Sequence, residues 1–162
     1  MIIDSFTDKY RFLSNFSVNR MTFNGWEMPT WEHGYNAMKS LDPEVQAQIL
    51  AAATPREAKK LGQHPDKGGI TILRPDWSEI RIPTMRAGVQ AKFDQHEVLV
   101  AKLLATGDAT LIEGNFWHDN FWGDCRCKNP RFNCQNIVGE NNLGLVLMEL
   151  RDHYRKVRLG RP

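Results

Sequence analysis

The feature that most limits how this chain can fold is a series of short helical segments, which proline and glycine interrupt. The clearest segment lies at 54–62. Its start and stop residues are Thr54 as N-cap, Pro55 at the first helical position, Glu57 in a capping box and Gly62 at the end. This pattern predicts a helix two turns long, so the chain is built from short elements and not from one long bundle.

Similar signals predict three further helices. One begins after Thr30, which is expected to be its N-cap, one begins at Asp42, and the last runs from about Asn142 to Lys156 with apolar residues at helical spacing.

The region from 77 to about 104 also has a helical pattern, but two residues interrupt it. They are Pro83 and Gly88. Because proline lacks the N–H of a helical hydrogen bond and its ring crowds the preceding turn, we expect a kink near Pro83 or a helix that starts there. Gly107 is expected to stop this region.

Few segments have the character of strands. Asn24-Gly25 predicts a hairpin turn, and residues 110–112 resemble a short strand. Residues 63–75 and 116–141 are expected to be irregular. With 162 residues and 41% apolar composition, the prediction is one mainly α domain with a few short strands (α+β) that spans 1–162.

The charge pattern excludes some classes of protein. A net charge of +2 is too small to argue for a nucleic-acid or membrane surface, and no apolar run is long enough for a membrane span. The first residues lack a signal-peptide pattern, so we expect a cytoplasmic protein, no membrane partner and reduced cysteines. The basic end of the last helix is interpreted as a solvated helix end or as a phosphate-contacting surface; its residues are Arg151, Arg155, Lys156, Arg158 and Arg161.

The first helix carries the most suggestive polar pattern. Glu32, Asn36 and Lys39 stand at i, i+4 and i+7 and therefore share one face. A carboxylate, an amide and an ammonium beside Trp31 and Tyr35 could hold an anionic ligand. The alternative is a surface Glu–Lys stripe on an amphipathic helix.

Two aromatic segments are further candidates. The segment 117–124 combines aromatic and acidic residues with His118, which favours a binding loop or an aromatic cluster whose Asp residues cap turns. Trp77 is either a core anchor or a stacking platform for a base or ribose.

Taken together, these residues resemble the NADAR family over nearly the whole chain. The matching motifs are Leu13-Ser14-Asn15-Phe16, Pro29-Thr30-Trp31-Glu32-His33 with Ala37 and Lys39, Trp77, Met85-Arg86, Ala91-Lys92-Phe93-Asp94-Gln95-His96, Phe121-Trp122-Gly123-Asp124, and Gly139, Asn141, Leu143-Gly144, Leu147-Met148 and Arg151. Each motif is weak alone, whereas their order and spacing together are specific.

The resemblance implies an N-glycosidase that cleaves at ribose C1′, without metal or cofactor in the reaction. It places the catalytic positions at Glu32, Trp77 and Asp124, and we expect these residues to line one cleft with Lys39. The substrate-binding candidates are Arg11, Asn15, Asn36, Lys39, Trp122, Gly123, Asn141 and Gly144.

This chain departs from the family pattern at a few positions. Asn36 stands where the family usually has Gln, Gln63 replaces a common basic residue, and Glu140 replaces a frequent Lys. The loop after Asp124 is also extended. These differences affect positions that select the substrate and leave the catalytic ones matched.

The extended loop contains all three cysteines of the chain. With His118, the residues Cys125, Cys127 and Cys134 could supply four zinc ligands, although their spacing is not a usual zinc-knuckle pattern. The favoured interpretation is a loop with reduced, partly buried cysteines.

Three classes of function follow from these observations. We favour an enzyme that removes ADP-ribose from guanine in a nucleotide, DNA or RNA, with cleavage of phosphoribosyl riboflavin intermediates as the alternative substrate. The second class is a non-catalytic module that binds ADP-ribose or nucleotides, against which the carboxylates Glu32 and Asp124 argue. The third is a zinc-containing nucleic-acid-binding domain.

Overall fold

The computed structural model describes residues 1–127, 129–132 and 134–160, so the Arg161 of the basic tail lies outside the described residues. Its α-helices are α1 Trp31–Ala37, α2 Pro43–Leu50, α3 Pro55–Leu61, α4 Trp77–Asp94, α5 Glu97–Ala105 and α6 Asn142–Arg158. Its strands are β1 Ile2–Ile3, β2 Met21–Phe23, β3 Trp26–Met28, β4 Thr110–Leu111, β5 Gly114–Asn115 and β6 Asp124–Cys125. Short 3-10 helices cover Asp8–Leu13, Pro65–Lys67, Pro130–Phe132 and Cys134–Asn136. The prediction of a mainly helical fold with a few short strands is confirmed.

The chain divides into two compact units. One unit is Asn15–Gln95, and the other joins Met1–Ser14 to the chain from His96 onward. Within the described residues, no helix is long and apolar enough to cross a membrane.

Local sequence signals explain the short elements of the Asn15–Gln95 unit. The Asp42 side chain accepts hydrogen bonds from the first turn of α2, and the Thr54 hydroxyl accepts one from the Glu57 N–H at the start of α3. The predicted hairpin is present, since β2 and β3 pair antiparallel with Phe23 opposite Trp26 around Asn24-Gly25.

A kink near Pro83 stays a prediction, whereas the alternative of a helix that starts there is wrong, because α4 contains Pro83 in its interior. It runs continuously from Trp77 to Asp94. Gly88 lies on the face of α4 that packs against Trp31, whose ring a Cβ at position 88 would overlap. The glycine is therefore explained by close packing and not by a helix end, and tertiary contact overrides the local weakness of the sequence.

The helical region breaks at Gln95–His96, where neither proline nor glycine marks a boundary. The Gln95 side chain bonds both the backbone N–H and the carbonyl of Thr22 in β2. These side-chain bonds anchor the end of α4 before α5 begins at Glu97.

The second unit is held by two parallel strand pairs and by α6. The strand β1 pairs with β4, and β5 pairs with β6, in which Asn115 lies opposite Cys125. Gly107, in the left-handed region, follows α5 as expected. Arg151 of α6 is buried and donates to the Thr106 hydroxyl and the Ala109 carbonyl.

Candidate functional site

A chain of hydrogen bonds links Glu32 and Asn36 of α1 to Lys39, which lies just after the end of the helix. Asn36 Nδ2 donates to Glu32 Oε1 at 3.0 Å, and Lys39 Nζ donates to Asn36 Oδ1 at 2.7 Å. A carboxylate requires a donor and an ammonium requires an acceptor, so the orientation of the Asn36 amide is fixed by its two neighbours. The amide thus connects a negative and a positive side chain in one defined geometry.

This face of α1 is buried. Glu32 is 7% exposed and Asn36 is 0% exposed, so the interpretation as a surface Glu–Lys stripe is wrong. Asn36 packs so closely on α3 that a Cβ at Gly62 would overlap its amide. A buried carboxylate is costly unless hydrogen bonds satisfy it, and the Asn36 bond supplies one of them.

An aromatic pair lies on the same unit. The rings of Tyr35 and Trp77 have centroids 5.2 Å apart, and Lys39 Nζ lies 5.3 Å from the centre of the Tyr35 ring. Trp77 is only 7% exposed, which is the packing expected of a core anchor. Its stacking on a base or ribose stays a prediction.

Asn15 lies next to the start of α1. Its carbonyl accepts the Glu32 N–H at 3.1 Å, and its Nδ2 donates to Met85 Sδ. Its Oδ1 is buried without a hydrogen-bond partner among the described residues. Buried polar atoms of native proteins are usually hydrogen-bonded, so this oxygen is unusual. The contact of Asn15 with substrate stays a prediction.

The sequence reasoning missed two buried titratable residues. His33 is fully buried, with Nε2 3.1 Å from the Ala52 carbonyl and Nδ1 2.7 Å from the Thr30 hydroxyl. The carbonyl can only accept, so Nε2 carries the proton and Nδ1 accepts from Thr30. Burial lowers the pKa of His33, which favours this neutral form. The prediction that the Thr30 side chain caps α1 is therefore wrong, because its hydroxyl bonds the His33 ring instead.

Lys92 of α4 is the second residue, and it leads to a prediction about pH. Burial lowers the pKa of Lys92 to about 7. In the unfolded chain this lysine keeps its proton up to about pH 10.4. Between about pH 7 and pH 10 the unfolded state therefore binds more protons than the folded state. The free energy of unfolding should therefore rise with pH in this window, by at most about 1.4 kcal/mol per unit from this group.

Urea unfolding of the wild type and of Lys92→Met at pH 7, 8 and 9 measures this contribution. We expect the free energy of unfolding of the wild type to rise relative to that of Lys92→Met as the pH rises. Lys60→Met, at an exposed lysine, is the control and should give a constant difference. A constant difference for Lys92→Met as well would contradict the assignment.

Asp124 is placed by the second unit. It lies on β6, where its N–H bonds the Glu113 carbonyl, and its Oδ1 accepts the Gly139 N–H at 2.8 Å. A Cβ at Gly139 would overlap the Gly123 carbonyl. The close approach of these backbone segments fixes the carboxylate, and it explains why glycine occupies position 139.

Three of the predicted substrate-binding residues brace this region. Asn141 Oδ1 accepts the Glu113 N–H at 3.0 Å, and its Nδ2 donates to the Leu111 carbonyl at 2.8 Å. Gly123 and Gly144 each lie where a Cβ would overlap a backbone carbonyl. The structure thus gives all three a structural role, and their contact with substrate stays a prediction.

The aromatic segment before Asp124 is organised by polar side chains. Asp119 Oδ1 accepts the N–H groups of Phe121 and Trp122, as expected for an aspartate that caps a turn. The Phe121 and Trp122 rings meet edge to face at 4.8 Å. Trp117, by contrast, is 57% exposed.

The four candidate metal ligands also come together in this unit. The Sγ atoms of Cys125, Cys127 and Cys134 and a ring nitrogen of His118 lie within 4.8 Å of one another. Cys125 and Cys134 are buried, and all three cysteines are free of disulfides.

The remaining predicted contacts are basic. Arg11 is exposed on the 3-10 helix Asp8–Leu13. In the basic helix end, Arg151 is buried, and Arg155 pairs with Asp108 and bonds the Gly107 carbonyl. These two arginines are engaged within the chain, which leaves less of the basic end to contact phosphate.

The residues predicted to share a cleft belong to different compact units. Glu32, Lys39 and Trp77 are in the Asn15–Gln95 unit, and Asp124 is in the other. Their common cleft stays a prediction.

Comparison with known proteins bears on which chemistry these residues perform. The NADAR domain family matches this chain over residues 4–155. The chain belongs to the NADAR family. The resemblance inferred from its motifs is thereby confirmed.

The relatives extend this result. The N-glycosidase YbiA of Shigella boydii is 36% identical over 148 residues, which cover 91% of this chain and 84% of that protein. A riboflavin biosynthesis protein of Vibrio vulnificus is 34% identical over 149 residues, which cover 92% of this chain and 37% of that protein. The NMR structure of the E. coli protein YbiA has a TM-score of 0.81 and 32% identity, with 100% of this chain and 88% of that chain covered. The names of these NADAR relatives support an N-glycosidase.

Proposed function

We propose that this chain hydrolyses the N-glycosidic bond at C1′ of a phosphorylated ribose derivative. The observation that carries the proposal is the hydrogen-bonded chain that joins Glu32 and Asn36 of α1 to Lys39 just after it, in a family whose named relatives include N-glycosidases. A base that departs from C1′ leaves a sugar with oxocarbenium character, which an oriented carboxylate stabilises. A positive side chain within the same network suits a phosphorylated substrate.

The resemblance supports two carboxylates in this reaction. In the proposed mechanism, one of Glu32 and Asp124 activates water or attacks C1′, and the other positions the ribose hydroxyls. Trp77 and Trp122 are proposed to stack on the base or sugar, while Lys39 and Arg11 meet phosphate. Asn15 and Asn141 are proposed to bond sugar or phosphate oxygens.

As the substrate we favour guanine that carries ADP-ribose, so that guanine is the leaving group. The supporting feature is the loop around 116–132, where large apolar side chains and a charge are open to solvent. These exposed residues are Phe116, Trp117 and Arg131. Exposed aromatic rings can stack on bases of a large substrate, at about 1–3 kcal/mol per base. A small riboflavin intermediate would need no such surface.

A second candidate substrate is a phosphorylated intermediate of riboflavin biosynthesis. The observation that favours it is the Vibrio vulnificus relative, which is named a riboflavin biosynthesis protein. The chemistry at C1′ is the same in both cases, so the two substrates differ in the base and in the group beyond the phosphate.

A parallel assay separates the two substrates. The protein is incubated with ADP-ribosylated guanine DNA and, separately, with a phosphoribosylated pyrimidine, and release of sugar phosphate or ADP-ribose is followed. We expect faster release from the DNA, and a faster rate at low salt than at high salt because phosphate contacts weaken with salt. Rapid cleavage of the pyrimidine, with no detectable binding of ADP-ribose, would replace this substrate with the riboflavin intermediate.

A further inference from the structure

The cluster of His118, Cys125, Cys127 and Cys134 takes no part in the proposed reaction, and its geometry suggests a role of its own. The four ligand atoms lie within 4.8 Å of one another. The shorter separations are 3.1 Å from His118 Nδ1 to Cys127 Sγ and 3.5 Å from the same nitrogen to Cys134 Sγ. Tetrahedral zinc with bonds of about 2.0–2.3 Å places its ligands roughly 3.3–3.8 Å apart. The side chains are thus close to the arrangement that the ion requires.

The orientation of the His118 ring is set by its backbone conformation and by one aromatic contact. The residue adopts a left-handed backbone conformation with φ 69°, which is uncommon for a residue with a side chain. Its ring stacks on Phe132 at 3.5 Å between centroids. Together these features direct Nδ1 toward the sulfur atoms and fix which nitrogen would bind a metal.

Polar groups around the sulfur atoms complete the arrangement. The Cys127 N–H donates to Cys125 Sγ at 3.4 Å, and Asn120 Nδ2 lies 3.6 Å from Cys134 Sγ. Asn120 also accepts the Cys125 N–H through its Oδ1. Donors of this kind stabilise metal-bound thiolates and orient the ligands, as outer groups do in metal sites.

We propose that Cys125, Cys127, Cys134 and His118 bind one Zn²⁺ in a closed tetrahedral site. Three sulfur ligands and one imidazole form the set that zinc uses in structural sites, and four protein ligands leave no position for substrate. On binding, the three thiols lose their protons to solvent and the imidazole stays neutral.

The ion would connect three separate parts of the loop. His118 follows β5, Cys125 lies on β6 and Cys134 begins a 3-10 helix, so one ion would join residues up to 16 positions apart in the sequence. Asp124 directly precedes Cys125. The site would therefore hold the strand that carries a proposed catalytic carboxylate, while remaining outside the reaction itself.

The first test is the metal content and thiol count of the wild-type protein, which has only these three cysteines. We expect one zinc per chain after purification, and three thiols that react with a thiol reagent only after a strong chelator removes the metal. Replacing zinc by Co²⁺ should give the thiolate charge-transfer and tetrahedral d–d absorption bands. Neither readout depends on glycosidase activity, so failure of the proposed function would leave this result unaffected.

The second test compares two histidine variants. His118→Ala should lower the affinity for zinc by at least about 10-fold, because it removes one of the four ligands. Loss of a residue that only hydrogen-bonds a metal ligand already costs about 10–100-fold in affinity. His153→Ala, at an exposed histidine on α6, should retain the wild-type zinc content. Should His118→Ala fail to fold, the metal content and Co²⁺ spectrum of the wild type still decide the question.

Three results would overturn the proposal. One is purified protein without zinc whose reduced, metal-free form takes up neither Zn²⁺ nor Co²⁺. Another is a disulfide. It would be seen as one reactive thiol per chain before reduction and three afterwards, with no metal released. The third is equal zinc affinity in the wild type and in folded His118→Ala, which would place the metal elsewhere on the protein.

Discussion

Glu32→Gln is expected to lower turnover by at least about 10²-fold, the low end of the contribution of a general acid–base group. The change removes the negative charge and preserves the shape of the side chain. A Gln side-chain oxygen can still accept from Asn36 Nδ2, which now donates to Glu32 Oε1 at 3.0 Å. The fold should therefore persist while the stabilisation of the transition state is lost.

Steady-state kinetics of Glu32→Gln should show the loss mainly in kcat, because an interaction made only in the transition state affects kcat and kcat/KM together. The matched control is Glu27→Gln, which changes an exposed carboxylate on β3 in the same unit. The control should retain the wild-type rate. Near wild-type turnover in Glu32→Gln, with the substrate cleaved, would remove Glu32 from the catalytic residues.

Asp124→Asn is expected to have an effect of similar size, at least about 10²-fold in turnover. The Asn oxygen can still accept the Gly139 N–H, which now bonds Asp124 Oδ1 at 2.8 Å. The local backbone should hold its position, and the thermal midpoint should remain close to that of the wild type. The loss of activity would then report the charge and not the fold.

The control for this change is Asp152→Asn, at an exposed aspartate of α6 in the same unit. It removes a surface partner of Arg155, and surface ion pairs contribute about 0–1 kcal/mol. Its turnover should equal that of the wild type. A fall of equal size in Asp152→Asn and Asp124→Asn would show that the effect does not belong to the proposed site.

Local signals in the sequence predicted the local elements well. The caps at Asp42 and Thr54 and the Asn24-Gly25 turn act through neighbouring backbone groups, so a short window contains all the information they need. The close packing of α4 at Gly88 and the path of the chain at Gln95 depend instead on Trp31 and Thr22, which are distant in sequence. No local window contains those partners.

In the candidate site, too, local spacing was predictable and contacts between distant segments were not. Helical spacing correctly predicted that Glu32, Asn36 and Lys39 come together, but it could not reveal that Glu32 and Asn36 are buried or that Asn36 packs against Gly62 at the end of α3. A buried amide that links two charges is therefore visible only in the fold. His33 and Lys92 were missed as buried titratable groups for the same reason.

The sequence offered His118 and the three cysteines as candidate ligands, but their spacing could not show that the four side chains come together. These side chains are brought together by irregular backbone, a left-handed residue at His118 and the 3-10 helix that begins at Cys134. Such turns have no period in the sequence that a pattern search can detect.

The most direct test of the proposed function is mass spectrometry of the products that the wild-type protein forms from ADP-ribosylated guanine DNA and from a phosphoribosylated pyrimidine. Hydrolysis at C1′ predicts an intact free base, or guanine restored in DNA, together with a sugar that carries a new C1′ hydroxyl. The same products should be nearly absent with Glu32→Gln. Binding of ADP-ribose without release of base or sugar from either substrate would contradict an N-glycosidase and identify a binding module.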